Sequence, residues 1–284
     1  MAVTPHKIQR YGWVKDTPDP RDLLFTASPV VAAKPLPKSA DLRPGCPTVY
    51  DQGQVGSCTA NSIAGAFEFA QKKQLLADFM PSRLFIYYNE RVIEHTTGKD
   101  AGAQIRDGIK TVAKQGVPPE TDWPYSENMS VVTEKPNSQA YTDALQHQVI
   151  AYHRITSKSA DAFLTLMKSC LADGYPFVFG FTVYSAFEGP QVAKTGILNM
   201  PDTKKESVVG GHAVMAAGYD DTKKAILVRN SWGASWGQKG YFWMPYAYIS
   251  DPKLASDFWT IRGVTGTATG KTAGKVAKAK AAGA

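Results

Sequence analysis

The sequence predicts an α+β fold in which an N-terminal helical lobe is followed by an antiparallel β lobe. Three observations carry this prediction. Apolar residues recur at helical spacing in the first half of the chain, at Ala60, Ile63, Ala64, Phe67 and Ala70. After about residue 146 the pattern changes to short β-branched and aromatic runs bounded by Gly, Asp or Asn. The 284 residues, 43% hydrophobic and 20% charged, suffice for one large domain or two lobes sharing a cleft.

Residues 1–40 are punctuated by prolines, and Pro18 and Pro20 forbid a continuous helix. This zone reads as an extended arm anchored by Tyr11, Trp13 and Phe25. Residues 41–145 form the helical lobe. Its first helix follows Cys58 and ends near Gln71-Lys72-Lys73-Gln74, where cations suit the helix dipole. A second helix spans Pro81 to Glu90, and a third runs from Ile105 to Lys114 and stops at Gly116 before Pro118-Pro119. Residues 146–263 form the β lobe, with strands expected at Pro176–Val183, His212–Tyr219, Ala225–Arg229 and Gly240–Met244. Residues 264–284 are rich in Ala, Lys, Gly and Thr and read as a disordered tail. No internal repeat is present.

Composition narrows the function classes. No apolar run reaches the roughly 18–20 residues that span a bilayer, and Met1–Lys15 lacks the apolar block of a secretory signal. The expectation is a chain without a Sec signal or transmembrane segment, cytoplasmic or exported by a non-Sec route. The formal charge of +7 includes Lys271, Lys275, Lys278 and Lys280 of the tail; without these four it is +3. No basic stripe interleaved with aromatics is present, so nucleic acid is not an expected partner. Cys46, Cys58 and Cys170 are too few for a disulfide framework, and Cys46 and Cys170 are expected to be reduced. No His/Cys/Asp/Glu cluster has zinc spacing, so neither a metal nor a cofactor is expected.

The chemistry concentrates in three segments. Tyr50-Asp51-Gln52-Gly53-Gln54-Val55-Gly56-Ser57-Cys58 places a thiol after a polar loop and at the start of a helix. There, unsatisfied N–H groups and the macrodipole favour an anion. Gly210-Gly211-His212-Ala213-Val214 brings a histidine to the start of a β run, and Asn230-Ser231-Trp232-Gly233 follows another. A histidine beside Cys58 forms a thiolate–imidazolium pair, which readies the nucleophile before substrate arrives. An asparagine carbonyl on one imidazole nitrogen directs the other at sulfur, and Trp232 can shield that hydrogen bond from water. The Gln52 amide and the Cys58 N–H supply an oxyanion hole. Taken singly, Cys58 reads first as a buried hydrophobe, Gln52 as a loop residue, Asn230 as a turn and Trp232 as a core ring. Their order along the chain favours the chemical reading.

These segments resemble the papain family of cysteine peptidases, over roughly residues 41–263. Asn230-Ser231-Trp232-Gly233-Ala234-Ser235-Trp236-Gly237-Gln238-Lys239-Gly240-Tyr241 is the part most similar to a family signature. Tyr184-Ser185-Ala186-Phe187 through Gly196-Ile197 and Asp122-Trp123-Pro124-Tyr125 add to it. The resemblance implies a two-lobed papain-like fold, with the cleft between the helical lobe and a β-barrel-like lobe. It implies catalytic roles for Cys58, His212, Asn230 and Gln52, the Cys-His-Asn set being a known variant of the serine-protease triad. It further implies substrate binding by Gly56, Ser57, Gly102, Ala103, Gly211 and Trp232. The family's Cys-Gly-Ser-Cys-Trp is here Val55-Gly56-Ser57-Cys58-Thr59, so one disulfide cysteine and the following aromatic are absent. His212 and Asn230 lie 154 and 172 positions after Cys58, beyond the roughly 130–150 usual in papain-like enzymes, which implies insertions. The glycine pair that binds substrate backbone becomes Gly102-Ala103. Gly210-Gly211 is more similar to the cathepsin B branch, and the short layout resembles bacterial members of the xylellain type.

The expected function is an endopeptidase acting on protein or peptide substrates through an acyl-thioester, most simply as a monomer. The alternatives are a transpeptidase or deamidase on the same scaffold, or a catalytically silent binding module. Residues 1–40 are too short for the family's helical pro-domain. They are a candidate short pro-segment that packs across the cleft through Trp13 or nearby aromatics, or else a strap on the outside of a lobe.

Overall fold

In the computed structural model, which describes residues 8–269, the arm carries β1 (Trp13–Val14) and a single turn α1 (Pro29–Ala32) capped by Ser28. β2 (Ser39–Asp41) then leads through a loop to α2 (Cys58–Lys73). Ser82 caps α3 (Arg83–Ile93), and β3 (Ala103–Gln104) runs directly into α4 (Ile105–Gln115). The left-handed φ of Gly116, 77°, ends that helix as the sequence predicts. Asn128 and Asn137 cap the short α5 (Met129–Val132) and α6 (Ser138–Ala144). The second lobe contains β4 (Val149–Ile155), α7 (Ala160–Ala172), β5 (Phe177–Tyr184) and α8 (Pro190–Thr195). It continues with β6 (Val208–Asp220), β7 (Ala225–Arg229), β8 (Tyr241–Pro245), α9 (Tyr246–Ile249) and β9 (Ala255–Val264).

Helix α2 is buried on every side from Cys58 to Gln71, not along one face. Its small residues, Ala60, Ala64, Gly65, Ala66 and Ala70, let neighbours approach from all directions, the pattern of a central helix. One core joins α2, α3 and α4 to the sheet through Ile63, Phe67, Ile86, Ile109, Met215 and Trp259. A second fills the β lobe with Phe177, Phe179, Phe181, Phe242 and Phe258. The sheet is antiparallel in the order β4-β9-β5-β6-β7-β8, with β2 beside β6. Its path is open, so the lobe is barrel-like without being a closed barrel.

The lobes exchange chain. β2 joins the β lobe, with Ala40 opposite Tyr219. At the other end, the Gln74 side chain both donates to the carbonyl of Val264 and accepts from its N–H, each at 2.8 Å. Ala268 bridges Leu76, and the Thr269 N–H reaches Leu75 O at 3.3 Å. Residues 264–269 of the expected disordered tail are therefore ordered along the helical lobe, because their backbone has partners there. The rest of that tail lies outside the described residues. Cys46, Cys58 and Cys170 are free thiols. Among the described residues no helix is long and apolar enough to cross a membrane.

Candidate active site

The loop before α2 is held in place by buried hydrogen bonds. The Gln52 N–H donates to Ser231 O at 2.9 Å. Its side-chain oxygen accepts from Ser231 Oγ at 2.6 Å, and its Nε2 donates to Val55 O at 2.9 Å. The orientation of the amide is thereby set, with its remaining N–H available for a ligand. Tyr125 OH donates to Gln52 O at 2.8 Å and lies 2.6 Å from Ser57 Oγ. Asn61 Nδ2 reaches both Ser57 oxygens at 3.0 Å. Arg83 donates to Asp51 O and Asn61 Oδ1, its guanidinium 4.0 Å from the centre of the Tyr125 ring. Asp100 accepts from Gly56 N at 3.0 Å and from Tyr87 OH. Arg83, Asp100 and Ser231 are functional supports that sequence reasoning missed, because their partners are distant in the chain. Tyr125 and Ser231 lay within quoted motifs but were given no role there.

Cys58 opens α2 and is fully buried. Burial pushes its thiol up to about 12, opposed by the nearby backbone N–H groups of Ala213, Gly12 and Thr59. Cys58 is thus a neutral thiol in this arrangement. The Ala213 contact seats β6 against the start of α2, immediately beside His212. His212 Nε2 lies 2.8 Å from Asn230 Oδ1, which also accepts the Ser231 N–H at 2.9 Å. Trp232 stacks on the imidazole, with ring centres 5.2 Å apart and planes at 28°. Phe181 meets the same ring edge-on at 5.8 Å. Thr59 Oγ1, where the family has an aromatic, donates to the buried Glu90 at 2.8 Å.

The arm runs through this site. Tyr11 meets His212 edge-on at 5.8 Å, and its hydroxyl donates to Glu188 at 2.9 Å. Gly12, whose N–H lies near the sulfur, accepts from Ala103 N at 2.7 Å. β1 pairs with β3 in parallel, Trp13 opposite Ala103. The Trp13 ring covers Gly180 and Gly211 and donates to Asp257 Oδ2 at 3.2 Å. Asp16 donates its N–H to the same oxygen at 2.9 Å and accepts from Arg106 N and Trp259 Nε1.

Of the substrate-binding candidates, Gly56, Gly102, Ala103 and Gly211 all touch Gly12 or Trp13. The Ser57 hydroxyl pairs with Tyr125 OH and accepts from Asn61 Nδ2, so it supports the loop. Trp232 is buried against His212 and Tyr11. No group of three or more metal-ligating side chains occurs among the described residues.

The sequence profile described as "Papain family cysteine protease" matches residues 36–257. The chain belongs to the papain family. Xylellain, a cysteine protease from Xylella fastidiosa, is 43% identical and superposes with a TM-score of 0.80 over 91% of this chain and 96% of its own. An uncharacterized peptidase C1-like protein of Acanthamoeba polyphaga mimivirus is 43% identical over 276 residues, covering 90% of this chain and 88% of its own. A cathepsin B-like protein of Giardia intestinalis is 30% identical over 78% of this chain and 73% of its own. The papain-family fold and a cysteine-type hydrolase follow from these matches.

Proposed function

We propose that the protein is a papain-like endopeptidase held latent by its own N-terminal arm. The observation that carries the reading is the order of hydrogen bonds Gln52–Ser231–Asn230–His212 leading to β6 beside the Cys58 sulfur. Nε2 of His212 is committed to Asn230, so proton exchange with sulfur falls to Nδ1. With the arm displaced, water and the imidazole favour ionisation of Cys58, and the thiolate attacks the scissile carbonyl. The second Gln52 side-chain N–H and the Cys58 N–H receive the oxyanion. Imidazolium His212 protonates the leaving amine, and then acts as base for the water that cleaves the thioester. No step calls for a metal or cofactor.

Support for latency comes from what the sulfur meets. The Gly12 N–H is among the backbone donors beside it, while the Gly12 carbonyl accepts from Ala103 N. An arm so placed fills the cleft without offering an electrophile. Cys58→Ala and His212→Ala each abolish hydrolysis of a peptide library by the arm-displaced protein. Full activity in purified Cys58→Ala refutes the mechanism. Amide products formed on adding an amine nucleophile would identify a transpeptidase instead.

A further inference from the structure

We propose that Asp100 and Tyr87 are positioning residues that lock the nucleophile loop to the strand receiving the substrate backbone, in the place a covalent cross-link would take. The inference rests on the peptidase reading above.

Two pieces of backbone meet the arm beside Cys58. One is the loop ending Gly56-Ser57-Cys58, and the other is Gly102 leading into β3. Gly12 touches both: a Cβ on Gly12 would lie 1.6 Å from Gly56 O, and one on Gly102 2.4 Å from Gly12 O. The next N–H, of Ala103, already binds Gly12 O at 2.7 Å. A peptide in the vacated cleft meets that same N–H. One continuous run of hydrogen bonds joins the two pieces. Gly56 N donates to Asp100, 3.0 Å from Oδ2 and 3.2 Å from Oδ1. Tyr87 OH donates to Asp100 Oδ1, and its oxygen accepts the Gly102 N–H at 2.9 Å. A hydroxyl polarised by a carboxylate accepts more strongly, so the run acts as a unit.

The run is buried and braced. Tyr87 is fully buried and Asp100 is 9% exposed. Burial, and then Asp100, raise the Tyr87 hydroxyl, which keeps its proton in the bond to Asp100. Arg91, also fully buried, holds both partners. Its Nε donates to Tyr87 O at 3.0 Å and its Nη1 to Lys99 O at 2.7 Å, with the guanidinium 4.0 Å from the centre of the Tyr87 ring. No disulfide shares the task, since Cys46, Cys58 and Cys170 are free thiols. Asp100 thus sets where a bound carbonyl sits relative to the sulfur. Loosening the Gly102 end weakens ground state and transition state alike, which raises KM. Loosening the Gly56 end displaces the nucleophile loop, which lowers kcat.

The test uses full-length Trp13→Ala protein, which lacks the arm's largest anchor, and a quenched peptide that it hydrolyses. Adding Tyr87→Phe, which keeps the ring under Arg91, raises KM about fivefold and leaves kcat within about twofold. Adding Asp100→Ala instead lowers kcat about tenfold or more and raises KM as well. With both changes, kcat/KM falls less than about twofold below Asp100→Ala alone, because a run already cut has little left to lose. Losses that multiply, a Tyr87→Phe effect on kcat alone, or a lower urea midpoint with unchanged kinetics overturns the proposal. Binding of the same peptide to Cys58→Ala/Trp13→Ala protein reads the lock without chemistry, and Tyr87→Phe weakens it about fivefold. That weakening with no hydrolysis by any variant would refute the peptidase reading and keep the lock; hydrolysis with binding and kinetics unaltered would do the reverse.

Discussion

At Cys58 two influences oppose each other, and burial wins. The start of α2 and three backbone N–H groups favour a thiolate, yet exclusion of water pushes the thiol up to about 12. Since a thiol is neutral below its pKa, full-length protein reacts slowly with iodoacetamide at neutral pH, and its rate climbs only in strong alkali. In Trp13→Ala protein the midpoint of that pH–rate curve moves down; unchanged curves would show that the arm does not control the thiol. Gln52 is the next test. Removing one oxyanion donor costs about 10²–10³ in kcat, so Gln52→Ala in arm-displaced protein should lose that much with little change in KM. Gln52, Cys58, His212 and Asn230 were singled out as candidates from residue type and order alone. Ser231 as the anchor of the Gln52 amide was not, because a hydroxyl in a signature carries no sign of the partner 179 residues away.

At the scale of elements, the arm is the part most exposed to a single change. A Cβ on Gly12 would lie 1.6 Å from the Gly56 carbonyl oxygen, and that loop is itself fixed by Asp100. Gly12→Val therefore expels the arm and raises the iodoacetamide labelling rate of Cys58 at pH 7 by at least tenfold; a wild-type rate would refute the steric argument. The arm's root is also pH-sensitive. Burial and then Asp257 raise the Asp16 carboxyl, and burial raises Asp257, against Arg106, Arg154, Trp259 and Trp13. The docked arm thus binds protons more tightly than the free arm. Docking is strongest in acid and weakens as pH rises from about 4, the ordinary aspartate value, through the raised ones. Hydrogen exchange of residues 8–16 in Cys58→Ala protein, corrected for intrinsic rates, loses protection over that rise. Asp16→Asn flattens the trend. The helices after Cys58, Ser82 and Gln104 were legible from caps and period, whereas β4, α7 and β9 were not singled out, since their burial depends on neighbours brought from elsewhere.

For the whole molecule, Arg229 is a clasp between lobes. It is 4% exposed, donates to Pro47 O at 2.8 Å and Thr48 O at 2.6 Å, and lies over the Tyr50 ring. Arg229→Met takes that partner from both carbonyls and leaves the one on buried Pro47 unsatisfied, at about 1–3 kcal/mol. Urea unfolding should show a lower midpoint by that measure, and an unchanged midpoint would remove Arg229 from the interface. β2, at the end of the arm, pairs with β6 of the β lobe, and Gln74, Leu75 and Leu76 of the helical lobe bind Val264, Thr269 and Ala268, so the chain on either side of the lobes ties them together.

The sequence by itself determined the family and the α+β class and singled out Cys58, His212, Asn230 and Gln52 as the proposed catalytic set, because catalysis demands particular groups in a particular order and helices announce themselves locally. Only the tertiary structure decided what the arm does to them. Whether Trp13 lies across the cleft or outside a lobe depends on pairing with Ala103, on the glycines at 180 and 211, and on Asp257. Those contacts join residues up to 244 positions apart, and steric fit and burial at such range leave no periodic trace in the chain.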